Sequence, residues 1–192
     1  MDKDLQSYLK VFKDWIPLNV CHQAVEELKK ADNNFFLHSF YDPVDNKLVS
    51  YENELSIAFL KFNHKDILMQ RIWDGLNDYM AFLEEKELSD VINSWAGFTD
   101  IRFNRYQTNT KMKRHCDHIQ SMFDGKRKGI PILSVIGALN DDYTGGELVF
   151  WNEKAVELKA GEIMIFPSNF LYPHEVKVVT EGTRYSYVSW VW

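Results

Sequence analysis

His115-Cys116-Asp117-His118 is followed far downstream by His174 and, ten residues further on, by Arg184. In a β-strand, residues i and i+2 project from the same face, so a strand here lets His115 and Asp117 converge on one point. His174 then has to come from another strand folded back alongside. Two imidazoles and one carboxylate on a common face leave about three open positions on an octahedral metal. Arg184 adds a permanent cation with a forked donor set, suited to holding a carboxylate bidentately. His118 is the rival ligand, but next to Asp117 it points to the opposite strand face and is expected to be satisfied or exposed. Cys116 also points away from the two ligands and reads as a small core residue.

Outward from that stretch the chain reads as β-structure. From Asp100 onward strand-like segments recur at 101–106, 113–118, 130–139, 147–151, 155–158, 162–166, 174–179 and 183–192. They are separated by turn material such as Asp141-Asp142, Gly145-Gly146, Gly161 and Glu181-Gly182. Many short strands with regular turns predict a sandwich or jelly roll rather than alternating strands and helices. The first half differs. Residues 9–15 predict a strand that stops at Pro17, and Asn19 is placed to cap a helix carrying Val20, Ala24, Val25 and Leu28. The aromatic stretch 35–51 reads as a hairpin or extended loop, and 55–62 as another short strand. The strongest helical signal is 65–87, where Leu68, Ile72, Leu76, Met80 and Leu83 form one stripe beside Ile67 and Tyr79. The expected fold is mixed α+β, mainly β: a double-stranded β-helix (jelly roll) core with N-terminal supporting helices. One domain over residues 1–192 is expected, with 1–99 as helical and loop support and 100–192 as the jelly-roll core carrying the metal site.

Composition narrows the function classes. A length of 192 residues, 45% hydrophobic and 15% aromatic, is that of a folded chain with a sizeable core. The net charge of -6 argues against a dedicated nucleic-acid binder. The start, Met1-Asp2-Lys3-Asp4, has no apolar run of the secretory kind, and no segment approaches a membrane span. With only two cysteines, Cys21 and Cys116, no disulfide framework is implied, and a cytoplasmic, reducing setting is expected.

The ordered set of motifs resembles a known family. Arg105-Tyr106 precede His115-Cys116-Asp117; Leu139-Asn140 and Gly145-Gly146-Glu147-Leu148-Val149-Phe150 follow. Then come Ala160-Gly161-Glu162-Ile163-Met164-Ile165-Phe166, His174-Glu175-Val176 and Gly182-Thr183-Arg184-Tyr185-Ser186. This β-rich half is similar to the 2-oxoglutarate- and Fe(II)-dependent dioxygenases, in their prolyl 4-hydroxylase-like branch. Two histidines and one carboxylate are also the donor set of non-haem ferrous oxygenases. The resemblance implies that His115, Asp117 and His174 are the iron ligands. By the same resemblance Arg184 pairs with the distal carboxylate of 2-oxoglutarate, Ser186 donates a second hydrogen bond to it, and Tyr106 lines the co-substrate pocket. It implies Fe(II), 2-oxoglutarate and O2, with ascorbate as an accessory, and hydroxylation of a prolyl residue in a peptide or protein.

Some positions depart from the family pattern. Ala138 stands where the family commonly has a tyrosine, and Ser134 is expected to supply a replacement hydroxyl to the co-substrate. Asn109 stands where a glycine is frequent, and Met112 where an aromatic is. Lys126-Arg127-Lys128 reads as a solvated turn, with contact to an acidic substrate as its functional alternative. The competing readings are a dioxygenase acting on another side chain or a small molecule, a cupin-type metalloenzyme, and a non-catalytic jelly-roll binding module. No nucleic-acid or membrane partner is expected.

Overall fold

The segments from residue 100 onward alternate apolar residues on both faces, and a sheet buried on both sides is the result. The structure, a computed structural model, describes residues 4–42, 45–88, 97–117 and 131–192. Strand β1 (Lys10–Phe12) precedes helix α1 (Leu18–Lys30). β2 (Phe36–Leu37), β3 (Ser39–Asp42), β4 (Lys47–Ser50) and β5 (Ser56–Ala58) lead to helix α2 (Lys65–Glu85). Then follow β6 (Arg102–Tyr106), β7 (Met112–His115), β8 (Leu133–Ala138), β9 (Thr144–Gly145), β10 (Leu148–Phe150) and β11 (Lys154–Val156). The last strands are β12 (Ile163–Pro167), β13 (His174–Val176), β14 (Val179–Glu181) and β15 (Arg184–Val191).

Seven strands form a large sheet in the order β1-β12-β8-β15-β6-β5-β2, and four form a small one in the order β11-β10-β13-β7. All pairings within both sheets are antiparallel. The two sheets face each other as a jelly roll, and the helices cover the outer face of the large one.

Strand β15 shows how the sequence builds these layers. All eight of its residues are buried. Tyr185, Tyr187 and Val191 join the helix-side core with Val20, Leu28, Leu68, Ile72 and Tyr79. Val188 and Trp190 join the core between the sheets, with Phe150, Phe166 and Val176. The period of two along a strand sends its residues to these two cores in turn. Helix α2 presents Leu68, Ile72, Leu76, Tyr79 and Leu83 to the first core. It comes close to β12 because Gly75 faces it, where a Cβ would lie 2.7 Å from the Ile163 side chain. Tyr79 donates its hydroxyl to the Tyr8 carbonyl at 3.0 Å, and Trp15 its indole N–H to the Arg71 carbonyl at 2.8 Å.

Several sequence expectations need correction. The strand expected at 9–15 is confined to Lys10–Phe12, because Asp14 turns the chain with φ 51°. Helix α1 begins one residue before Asn19, with Pro17 at the cap position. The fixed φ of proline there suits a helix start, and no side-chain cap forms. Ile67 is exposed and Met80 only half-buried, so Tyr79 takes the central place in the α2 face. The segment expected at 174–179 divides into β13 and β14, and β14 pairs with β9. The stretch 35–51 does contain a hairpin, β3 with β4. Asn109 adopts φ 69°, a left-handed conformation that asparagine accepts more readily than most side chains, which explains how it stands where glycine is frequent. His118 and Lys126-Arg127-Lys128 lie outside the described residues.

Among the described residues, Tyr187 carries a costly hydroxyl on the helix side. Its ring fills the space over Gly137, its partner across β8, and its hydroxyl is buried without a hydrogen-bond partner. Burial drives the phenol pKa far above its usual value. Tyr187→Phe should therefore raise stability by about 1 kcal/mol, which is roughly 2–4 °C in the thermal midpoint for a chain of this size. A lowered midpoint would show that the hydroxyl has a partner after all.

Candidate active site

The pocket lies between the two sheets, with β6 and β15 as one wall and β7 and β13 as the other. His115 and His174 face each other across the β7–β13 pair, with ring centroids 4.4 Å apart. Asp117 does not sit in that strand: β7 ends at His115, and Asp117 enters from the bend that follows. The pleat that would have aligned His115 and Asp117 is replaced by this bend, and the convergence survives. His115 Nε2 is 3.3 Å and His174 Nε2 is 3.9 Å from Asp117 Oδ1. One donor atom from each of the three lies within 4.8 Å of the others.

The surroundings fix the chemical state of these donors. His115 Nδ1 lies 2.8 Å from the Lys113 carbonyl and His174 Nδ1 lies 3.1 Å from the Tyr172 carbonyl. A carbonyl only accepts, so each Nδ1 carries the proton. In the neutral ring Nε2 is then a free lone pair facing the cluster, the tautomer a metal ligand needs. Burial, reinforced by His115, pushes His174 down to about 4, which keeps it neutral near pH 7. For Asp117 burial acts the other way, but His174, His115 and the Ser134 hydroxyl outweigh it and hold the carboxyl well below its usual range. Two imidazole Nε2 lone pairs and one carboxylate fit a divalent ion of the non-haem iron type.

Ser134 is placed differently from its expected role. It donates to Asp117 Oδ2 at 2.6 Å and lies 2.7 Å from Ser168 Oγ, so Ser168 donates to Ser134 in turn. Both serines are buried. Ser134 thus orients the carboxylate instead of lining the space beside Arg184. Ser168 was not foreseen, since nothing in a Pro-Ser-Asn turn marks a buried hydroxyl. Loss of such a supporting hydrogen bond lowers metal affinity about 10-fold or more, and Ser134→Ala should show that in an iron titration. Unchanged affinity would remove Ser134 from the site.

Arg184, Ser186, Val188 and Trp190 line the opposite wall from β15, with Arg102, Asn104 and Tyr106 beside them from β6. Arg184 is 3% exposed and donates to Ser186 Oγ at 3.0 Å. Its guanidinium carbon lies 4.9 Å from the centre of the Tyr106 ring. Among the described residues no carboxylate lies within ion-pair distance of it. A buried guanidinium without a counter-charge is costly, and a bound carboxylate would complete it. Ala138 faces Ser186 across β8 and β15 and offers no hydroxyl there. Arg102, Asn104 and Trp190 also line the pocket and were missed. The signal was present, because counting back by two from Tyr106 and forward by two from Arg184 reaches all three.

Comparison with known proteins agrees with this geometry. The model of the 2OG-Fe(II) oxygenase superfamily matches residues 101–192. A PKHD-type hydroxylase of Acinetobacter baumannii is 30% identical over 132 residues, covering 66% of this chain and 52% of the relative. One of Prochlorococcus marinus is 49% identical over 94 residues, covering 47% of this chain and 40% of the relative. The chain thus spans about half, or less, of the length of these curated relatives. Among solved structures, a prolyl hydroxylase of Trichoplax adhaerens, in complex with a hypoxia inducible factor peptide, superposes with a TM-score of 0.66 at 18% identity. That match covers 96% of this chain and 83% of the other. A Pseudomonas putida prolyl-4-hydroxylase gives a TM-score of 0.61 at 18% identity, covering 98% and 94%. Such structural likeness establishes the jelly-roll fold. Residues 101–192 thus match the 2OG-Fe(II) oxygenase superfamily, on a prolyl hydroxylase-like fold.

Proposed function

We propose that the chain is an Fe(II)- and 2-oxoglutarate-dependent dioxygenase that hydroxylates a C–H bond, in a prolyl residue of a peptide or protein, and that residues 1–192 act as one domain. The observation that carries this reading is the pairing of two walls. A cluster of two imidazoles and a carboxylate faces a buried arginine that has no counter-ion among the described residues. In this reading His115, Asp117 and His174 hold the iron through Nε2, a carboxylate oxygen and Nε2. Arg184 and Ser186 hold the far carboxylate of 2-oxoglutarate, and the Tyr106 ring closes the side of that slot. Ferrous iron and 2-oxoglutarate, when bound, supply the O2-activating chemistry that ends in succinate, CO2 and a hydroxylated carbon. The protein's part is orientation: anchoring a small dianion at a fixed distance from the cluster makes the reacting groups effectively intramolecular. Phe150 and Phe166 pack against His174 at ring-centroid distances of 5.3 and 5.2 Å, which fixes its ring and keeps water from that side.

The names of the relatives support the substrate class, since PKHD-type and prolyl hydroxylases recur among them. Cys21 and Cys116 are both free. Among the described residues no helix is long and apolar enough to cross a membrane.

The test needs no substrate. Fe(II) and 2-oxoglutarate added to apo-protein without oxygen should give the visible charge-transfer band of the chelate. Removing the partner of a buried charge costs about 2 kcal/mol or more, so Arg184→Ala should need at least about 30-fold more 2-oxoglutarate for the same band. Iron bound without any band would overturn the dioxygenase reading.

A further inference from the structure

Two arginines reach the pocket, and the reading above employs only one. Arg102 lies on β6 four residues before Tyr106, on the same strand face, opposite Val188 of β15. Its Nε donates to Asn104 Oδ1 at 3.1 Å, and its guanidinium carbon lies 4.8 Å from the centre of the Trp190 ring. Among the described residues no carboxylate, Asp117 included, lies within ion-pair distance of it. Trp190 is 4% exposed and lines the same pocket, and its indole N–H has no hydrogen-bond partner among the described residues.

Each of these groups is costly alone. The indole N–H is buried without an acceptor, and the half-buried guanidinium has no counter-charge among the described residues. Stacked together in one pocket, with the indole N–H and the terminal guanidinium nitrogens unpaired among the described residues, they call for a single shared acceptor carrying negative charge. The co-substrate does not fill that need. In the proposed function one carboxylate of 2-oxoglutarate belongs to the metal and the other to Arg184, so neither is left for Arg102.

We propose that Arg102 and Trp190 form an anion-holding arm for the substrate, so that the molecule hydroxylated carries a carboxylate near the reacting carbon. This rests on the proposed function and narrows it. The carboxylate belongs either to an acidic side chain or to the C-terminus of a peptide, and the recognition chemistry is the same for both. Arg102 is accordingly a specificity-determining residue, and it does not anchor the co-substrate.

The test uses the full chain loaded with Zn(II), which is diamagnetic, and saturated with 2-oxoglutarate. The indole N–H resonance of Trp190, assigned by its absence in Trp190→Phe, is followed while sodium acetate is added. The expected result is a saturable shift that is lost in Arg102→Gln, with 2-oxoglutarate affinity by calorimetry unchanged in that variant. Retained 2-oxoglutarate binding also shows that Arg102→Gln is folded. Repeating the titration with N-acetylglycine and with an end-blocked peptide containing one glutamate identifies the source by whichever binds more tightly. No saturable shift, or the same shift in Arg102→Gln, would overturn the inference. A loss of 2-oxoglutarate affinity in Arg102→Gln as large as that in Arg184→Ala would overturn it too, by moving Arg102 to the co-substrate. Failure of the zinc-loaded wild type to bind 2-oxoglutarate would instead overturn the site reading beneath it.

Discussion

A His174→Ala variant should lose bound iron and 2-oxoglutarate turnover together while remaining folded. His174 is 4% exposed, contributes one of three converging donor atoms, and is held by the Tyr172 carbonyl and by Phe150 and Phe166. Residues that merely support a ligand typically change metal affinity 10–100-fold, so loss of a ligand itself should exceed about 100-fold. The truncated side chain leaves a cavity between the sheets, at a cost of about 2–3 kcal/mol that the rest of the fold should survive. Iron content after desalting, 2-oxoglutarate consumption and the thermal midpoint read the three effects separately. A variant that kept both its iron and its turnover would show that the ligand set is misassigned.

Gly137→Ala should be the most damaging small change outside the pocket. Gly137 faces Tyr187 across β8 and β15, and an added Cβ would lie 2.1 Å from the tyrosine Cζ. The ring cannot step aside, because Tyr187 is fully buried against the helix layer. Both strands pair on each side, so the backbone cannot give way readily either. Overpacking of a rigid core costs about 1–3 kcal/mol, occasionally more, and this position should fall at or above the upper end. The thermal midpoint should drop by about 6–12 °C, taking 2–4 °C per kcal/mol. Tyr187→Phe offers no relief, since the clash involves ring carbons. A midpoint within 2 °C of wild type would mean that β8 and β15 can shift apart.

The β-half was legible because its signals are local and redundant. Strict alternation in 184–191 sends Tyr185 and Tyr187 one way and Arg184 and Ser186 the other, and that pattern survives any error in strand ends. His115, Asp117, His174 and Arg184 were legible as a set for the same reason, and the structure brings all four to one pocket. What could not be read was set by tertiary context. Asp117 reaches the cluster from a bend, which no pleat rule predicts. Ser134 looks equally suited to a ligand pocket or to a carboxylate, and only its tertiary neighbours Asp117 and Ser168 decide. Helix α1 starts without the side-chain cap that Asn19 advertises, because packing of Val20, Ala24 and Leu28 outweighs a cap of about 1 kcal/mol.

The position of β15 has a consequence for how the site opens and closes. It is central in the large sheet, bonded to β8 on one side and β6 on the other, whereas β7 is the last strand of the small sheet. Amides of a doubly paired, fully buried strand exchange with solvent only when the whole molecule unfolds, while those of a terminal strand exchange through local fraying. The arginine wall is therefore the slow, persistent half of the pocket and the His115–Asp117 wall the faster one. Breathing of the molecule would let go of the metal side first, leaving the acid-holding side assembled to receive it again.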